Sequence, residues 1–262
     1  MRIPLYQVDA FTSRPFAGNP AAVCPLEQWL DDATLQAIAA ENNLAETAFY
    51  VPEDEGFHLR WFTPAVEVDL CGHATLATAW VIFHRFDWPL DAIDFRTRSG
   101  VLTVSRDGER LAMDFPARPP APAANIDAVA AALGARPAEI FAARDALALF
   151  GSEAEVKAIR PDFAKIAALD QFALIVTAPG APNTKTDFVS RFFAPKAGVN
   201  EDPVTGSAHS TLIPFWAARL EKTKLFARQV SVRGGELWCE YRGDRVIIAG
   251  NCAAVLEGTI TL

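Results

Sequence analysis

The alternation of apolar and polar positions predicts short strands and a few helices. Ile3–Phe11 alternate as a strand, Thr12–Pro20 is turn-rich, and Ala21–Pro25 is a return strand. Asp31 or Asp32 caps a helix to about Glu41, with Leu35 and Ile38 on one face and Asn42-Asn43 at its end. Glu46 stands just before the strand Thr47–Val51, and Phe57–Phe62 is another strand. From Gly72 to about Phe86 the chain is apolar on nearly every helical face, as in a helix buried within its own domain. Leu102–Arg106 and Arg110–Phe115 form a hairpin through Asp107-Gly108.

Pro116–Pro122 reads as a linker. It divides the chain into domains at 1–117 and 118–262, with the run Ala253–Leu262 expected to return to the first. The second half opens with a helix capped by Asn125 and stopped by Gly134. Ala146–Phe150 is a strand, Glu153 to about Leu169 is helical, and Phe172–Thr177 is a buried strand. Phe188–Phe193 is a strand, Ala208–Leu220 a helix that Pro214 should kink, and Gln229–Arg233, Glu236–Tyr241 and Arg245–Ala249 are closing strands. Both halves are therefore α+β and mainly antiparallel, each around one buried helix.

One unit occurs twice. Arg60-Trp61-Phe62-Thr63-Pro64 leads to Asp69-Leu70-Cys71-Gly72-His73, and Arg191-Phe192-Phe193-Ala194-Pro195 leads to Glu201-Asp202-Pro203-Val204-Thr205-Gly206-Ser207. Each is an aromatic strand stopped by proline, then a polar turn with a glycine, then an apolar helix. A cleft between the halves is expected to hold both turns.

Composition narrows the possibilities. The net charge of −8 and the absence of a basic stripe argue against nucleic acid or an anionic membrane as partner. The four cysteines are scattered with no CxxC pair, which speaks against zinc or a redox dithiol and for reduced thiols. No signal-peptide core and no span-length apolar run occur, so a soluble, cytoplasmic protein is expected.

Helix N-termini offer unpaired N–H groups and partial positive charge, and glycine lets a ligand come close. Gly72 and Gly206 together suit an anion such as a substrate carboxylate; singly, each would only permit tight entry into a helix. Glu46, in the small apolar context Leu44–Phe49, would suit a general acid or base if buried, although context alone favours an ordinary exposed loop glutamate. His73, at the first helical position, could shuttle a proton or be structural. Asp202 could orient His73, bind an amine or complement the helix dipole, and Ser207 could be an N-cap or a substrate contact. No G-x-S-x-G, G-x-G-x-x-G, Walker or H-E-x-x-H motif is present, which leaves cofactor-free proton chemistry.

At these residues the chain resembles the PhzF family of phenazine-biosynthesis isomerases and their relatives. The resemblance runs through Val8–Phe11, Phe16–Val23, Asn43–Phe49, Arg60–Pro64, Glu67–Ala77 and Glu201–His209. It implies a diaminopimelate-epimerase-like fold of two similar domains, a site between them, no cofactor or metal, and a homodimer. It implies Glu46 as acid/base, His73 and Asp202 as catalytic partners, and Ser207, Gly72, Gly206, Asn19 and Cys71 as substrate contacts. Those epimerases use a cysteine at each helix start; here only the first turn has one, Cys71. A single base would then isomerise a small carboxylate by proton shift. A two-base racemase using Glu46 with Cys71 or Asp202, a non-catalytic carboxylate-binding protein and, behind these, a Ser207 hydrolase are the other readings.

Overall fold

The computed structural model describes all 262 residues, and their contacts separate them into two compact units, Met1–Asp114 with Ala249–Leu262, and Phe115–Ile248. The chain runs β1 (Arg2–Ala10), β2 (Asn19–Pro25), α1 (Asp32–Asn42), β3 (Glu46–Pro52), β4 (Phe57–Phe62), β5 (Glu67–Val68), α2 (Gly72–Arg85), β6 (Ala92–Thr97), β7 (Gly100–Asp107) and β8 (Arg110–Pro116). It continues with β9 (Ala121–Pro122), α3 (Ile126–Leu133), β10 (Glu139–Ala142), β11 (Ala146–Leu149), α4 (Glu153–Ala158), α5 (Phe163–Ala167), β12 (Leu174–Pro179), β13 (Phe188–Ala194) and β14 (Val199–Asp202). The last elements are α6 (Gly206–Leu220), β15 (Lys224–Gln229), β16 (Gly235–Tyr241), β17 (Arg245–Gly250) and β18 (Cys252–Thr261).

In the first unit β1 pairs antiparallel with both β18 and β2, so the C-terminal strand lies beside the N-terminal one. β2 pairs parallel with β3, β3 antiparallel with β4, and β4 parallel with β6. The second unit repeats the pattern: β11 is parallel to β12, β12 antiparallel to β13, and β13 parallel to β15. Each unit has its own apolar core, with Leu35, Phe49 and Phe62 in the first and Leu133, Val176 and Phe193 in the second. α2 and α6 are buried along most of their length, which matches their all-round apolar sequences. No helix is long and apolar enough to cross a membrane.

Several expected elements differ in detail. The helix expected from Glu153 to Leu169 is two short helices, because Pro161 between them lacks the N–H to continue α4. β6 and β10 are additions; in β6 the buried Ile93, Phe95 and Thr97 alternate with exposed Asp94 and Arg96. β15 ends at Gln229, where a strand was expected to begin, and Val230–Arg233 is a loop. Asn125 stands at the start of α3 in a left-handed conformation, and its side chain caps nothing there.

The proline-rich segment is docked on the second unit. Pro214 deprives the Ser210 carbonyl of its intrahelical donor, and the Arg118 backbone N–H donates to that carbonyl at 2.8 Å. Ala117 N–H donates to Asp244 O at 2.8 Å, and β9 pairs with β10.

Candidate active site

Each glycine turn is held by the same two devices within its own unit. Arg60 forks onto Glu67 at 2.7 and 2.8 Å, and Arg191 forks onto Glu201 at 2.7 and 2.9 Å. Both guanidiniums lie over the phenylalanine two residues on, Phe62 at 5.1 Å and Phe193 at 4.9 Å. The Ser99 hydroxyl donates to Asp69 O, and the Ser231 hydroxyl donates to Pro203 O, each at 2.8 Å. Planar, charge-assisted pairs of this kind fix orientation as well as position. In register, Glu67 matches Glu201, Cys71 matches Thr205, Gly72 matches Gly206 and His73 matches Ser207. The helices that follow lack side-chain caps, whereas α1, α4 and α5 are capped by Asp31, Ser152 and Asp162. Thr205, rather than Ser207, occupies the N-cap position of α6.

In the first unit the fold gathers Asn19, Glu46, Cys71, Gly72 and His73. Parallel pairing of β2 and β3 brings the start of each strand to the same end of the sheet, with Asn19 opening β2 and Glu46 opening β3. α2 contributes Gly72 and, as its second residue, His73. Glu46 Oε2 lies 3.0 Å from His73 Nε2, with the carboxylate side chain 17% exposed and the imidazole 7%. Neither atom makes an aligned hydrogen bond, so the pair is a close ionic contact. Glu46 is therefore largely withdrawn from water, as its apolar sequence context allowed. On the other edge of the ring, Asn19 Nδ2 lies 3.2 Å and Cys71 Sγ 3.5 Å from Nδ1.

These contacts set the protonation pattern. Burial works against an imidazolium at His73, but Cys71 and the Glu46 carboxylate favour it, and the balance holds the ring well above the ordinary histidine range. Burial, with Glu46 second, pushes the Cys71 thiol up to about 11. The sulfur is thus a neutral thiol at pH 7, and the carboxylate is what supports the cation. The Asn19 amide N–H opposes it, because a donor aimed at Nδ1 favours the neutral ring. With Asn19 donating to Nδ1, the neutral ring keeps its proton on Nε2, the nitrogen nearer Glu46.

The ligand atoms of Glu46, Cys71 and His73 lie within 4.8 Å of one another, a spacing that could gather a metal ion. The carboxylate meets Nε2 and the sulfur meets Nδ1, so the imidazole stands between the other two groups. That order fits a proton relay better than a coordination shell, in which all donors converge on one point.

The second unit gathers Asp202, Gly206 and Ser207 with two residues that the sequence reading does not single out. Thr205 Oγ1 donates to Asp202 Oδ2, and Gln229, buried at the end of β15, reaches both Asp202 and Thr205. Thr205 was accessible from sequence, since aligning the two turns places it opposite Cys71. Gln229 carried no such signal. Within the same unit His209 Nδ1–H donates to Thr205 O at 2.8 Å, and burial pushes its imidazole down to about 4. His209 is therefore neutral.

Comparison with known proteins agrees with this architecture. The family model described as phenazine biosynthesis-like protein, PhzC-PhzF, matches residues 8–258. A protein of Pseudomonas aeruginosa named as an uncharacterized isomerase is 54% identical over the whole of both chains. The crystal structure of a PhzF-family phenazine biosynthesis protein from Enterococcus faecalis superposes with a TM-score of 0.97 at 48% identity, over all of both chains. A hydroxyproline epimerase from Agrobacterium vitis, solved with trans-4-hydroxy-L-proline, shares the fold with a TM-score of 0.65 at 10% identity, over 99% of this chain and 92% of that one. The chain belongs to the PhzC-PhzF family of phenazine biosynthesis-like proteins and is an isomerase with the epimerase-like fold.

Proposed function

We propose that this isomerase moves a proton within a small carboxylate-bearing substrate, without a cofactor, and that Glu46 is the base. The observation that carries this reading is the Glu46–His73 contact of 3.0 Å in a largely water-excluded setting. Glu46 breaks a carbon–hydrogen bond and holds the proton on its carboxyl oxygen. It then delivers a proton to another carbon on the same face, so no proton is gained or lost overall. The carboxyl, still 17% exposed, exchanges its proton with solvent between the two steps, which carries solvent deuterium into the product. His73 Nε2 lies 3.0 Å from the carboxylate and is proposed to hold it near the substrate by charge. The backbone N–H groups at Gly72 and Gly206, with Asp202, Ser207 and Asn19, are proposed substrate contacts.

The two-base alternative draws on Cys71, which lies at His73 Nδ1. A thiol held at about 11 is a poor base at pH 7, and the matched position in the other turn is Thr205. The one-base scheme is preferred on those grounds. Incubating small unsaturated and hydroxy carboxylates in deuterated water, with the wild type and Glu46→Gln, tests it. The expected result is carbon-bound deuterium with the wild type and a loss of about 100-fold or more in the variant. Equal incorporation by both proteins would remove Glu46 from the mechanism, and loss of configuration at one carbon that depends on Cys71 would favour the epimerase.

A further inference from the structure

We propose that Gln229 is the positioning residue of the second glycine turn, setting the direction in which Thr205 and Asp202 share their proton; its effect on substrate rests on the carboxylate-binding role proposed for that turn. Gln229 is 1% exposed, and all of its amide's polar capacity toward the turn is used. Its Nε2 donates to the Asp202 carbonyl at 2.7 Å and to Thr205 Oγ1 at 3.2 Å, and its Oε1 accepts from the Thr205 backbone N–H at 2.9 Å. A hydroxyl that receives a hydrogen bond on its oxygen must send its own proton elsewhere. Here that proton goes to Asp202 Oδ2. The order Gln229 N–H to Thr205 O–H to Asp202 carboxylate is therefore dictated from β15, and it makes Asp202 Oδ2 the acceptor of the Thr205 proton.

The first unit shows that this is an addition rather than a general requirement of the fold. β6 stands to β4 as β15 stands to β13, and the parallel registers place Thr97 where Gln229 stands. The Thr97 hydroxyl bonds back into its own loop, donating to Gly100 O at 2.7 Å. The serine clamp is common to both units, whereas the amide clamp exists only in the second, where Asp202 and Thr205 stand at the positions of Val68 and Cys71. Gln229 also closes the Thr205 N–H, so it fixes the cap residue immediately before the Gly206 helix start.

The test uses the full chain with Gln229→Glu and Gln229→Ala. Glutamate keeps the acceptor for Thr205 N–H but loses both donated bonds, and it serves if the alanine variant fails to fold. The pH titration of the Asp202 side-chain 13Cγ is read in each protein, and acetate is titrated while the Gly206 and Ser207 amide shifts are followed. The expected result is an Asp202 titration displaced and acetate binding weakened by about tenfold or more in Gln229→Ala, which adds no charge, as well as in Gln229→Glu, with a single cooperative urea transition showing that each variant is folded at the pH of the assay. An unchanged Asp202 titration in both variants overturns the proposal. If wild-type amides ignore acetate while the Asp202 titration still moves, the amide clamp stands and the carboxylate reading of the turn falls.

Discussion

Asn19 Nδ2 lies 3.2 Å from Nδ1 of His73, although the two residues come from different elements far apart in sequence. That contact makes Nδ1 of the neutral ring an acceptor and leaves the proton on Nε2, toward Glu46. Asn19→Asp reverses the chemistry at this edge, since a carboxylate attracts an Nδ1–H. His73 should then stay protonated to higher pH, and its two ring nitrogens should report an imidazolium by 15N NMR at a pH where the wild type is neutral. Deuterium exchange into substrate should fall by about 10-fold to 100-fold. An unaltered His73 titration in this variant would detach Asn19 from the relay.

The paired arginines give a stability prediction with an internal control. Arg191 serves Glu201 and also donates to the carbonyls of Val156 and Ile159 at 3.1 and 3.0 Å. Replacing it by methionine strips the main partner from a mostly buried carboxylate and two carbonyls, and should cost about 3–5 kcal/mol. Arg60→Met should cost less, roughly 1–2 kcal/mol, because Glu67 keeps Arg98 at 2.7 Å. Urea unfolding of both variants checks the order; equal losses would mean that the second guanidinium does not compensate.

Local chemistry made much of this legible in the sequence. The strand–proline–turn–glycine–helix repeat was visible because each part has a backbone reason, and the apolar α2 and α6 announced their burial. Pro161 was equally visible, yet the helical reading ran through it, since apolar spacing on both sides outweighed one breaker. β6 alternates cleanly but is short and lies between an exposed helix end and a hairpin. The Arg60–Glu67 and Arg191–Glu201 forks and the reach of Gln229 were beyond a sequence reading, because each joins positions that only strand pairing brings together. Glu46 could be named from the family resemblance, but its approach to His73 depends on β2 and β3 running parallel.

The buried histidines should respond to pH in opposite senses. His209 is held down at about 4, so from roughly 6.5 downward the unfolded chain takes up a proton that the folded chain refuses. Stability should therefore fall by about 3 kcal/mol between pH 6.5 and 4 on this account alone, and His209→Gln should flatten that part of the urea-midpoint profile if it folds. His73 is raised, so its contribution is complete below about 6.5 and is lost as pH rises through the folded value. His73→Gln should remove a decline on the alkaline side. A profile in which both variants alter the same limb would contradict the assigned directions.

Gly18 links the fold to the relay through the backbone alone. It sits at φ +63°, directly before Asn19, and a Cβ there would drive into the Ala10 carbonyl oxygen and the Thr12 methyl group. Ala10 is the β1 residue that pairs with Asn19. Gly18→Ala thus faces a left-handed backbone and a clash that no side-chain rotation relieves, because the obstacle is main chain. The strand opening must move, and Asn19 Nδ2 moves with it. The expected loss is roughly 2–4 kcal/mol of stability, with a drop in substrate exchange larger than Asn19→Ala produces. Crystal structures of the two variants would show whether the Asn19–His73 distance lengthens in the first. If Gly18→Ala keeps both that distance and wild-type exchange, the loop does not set the geometry of the His73 ring.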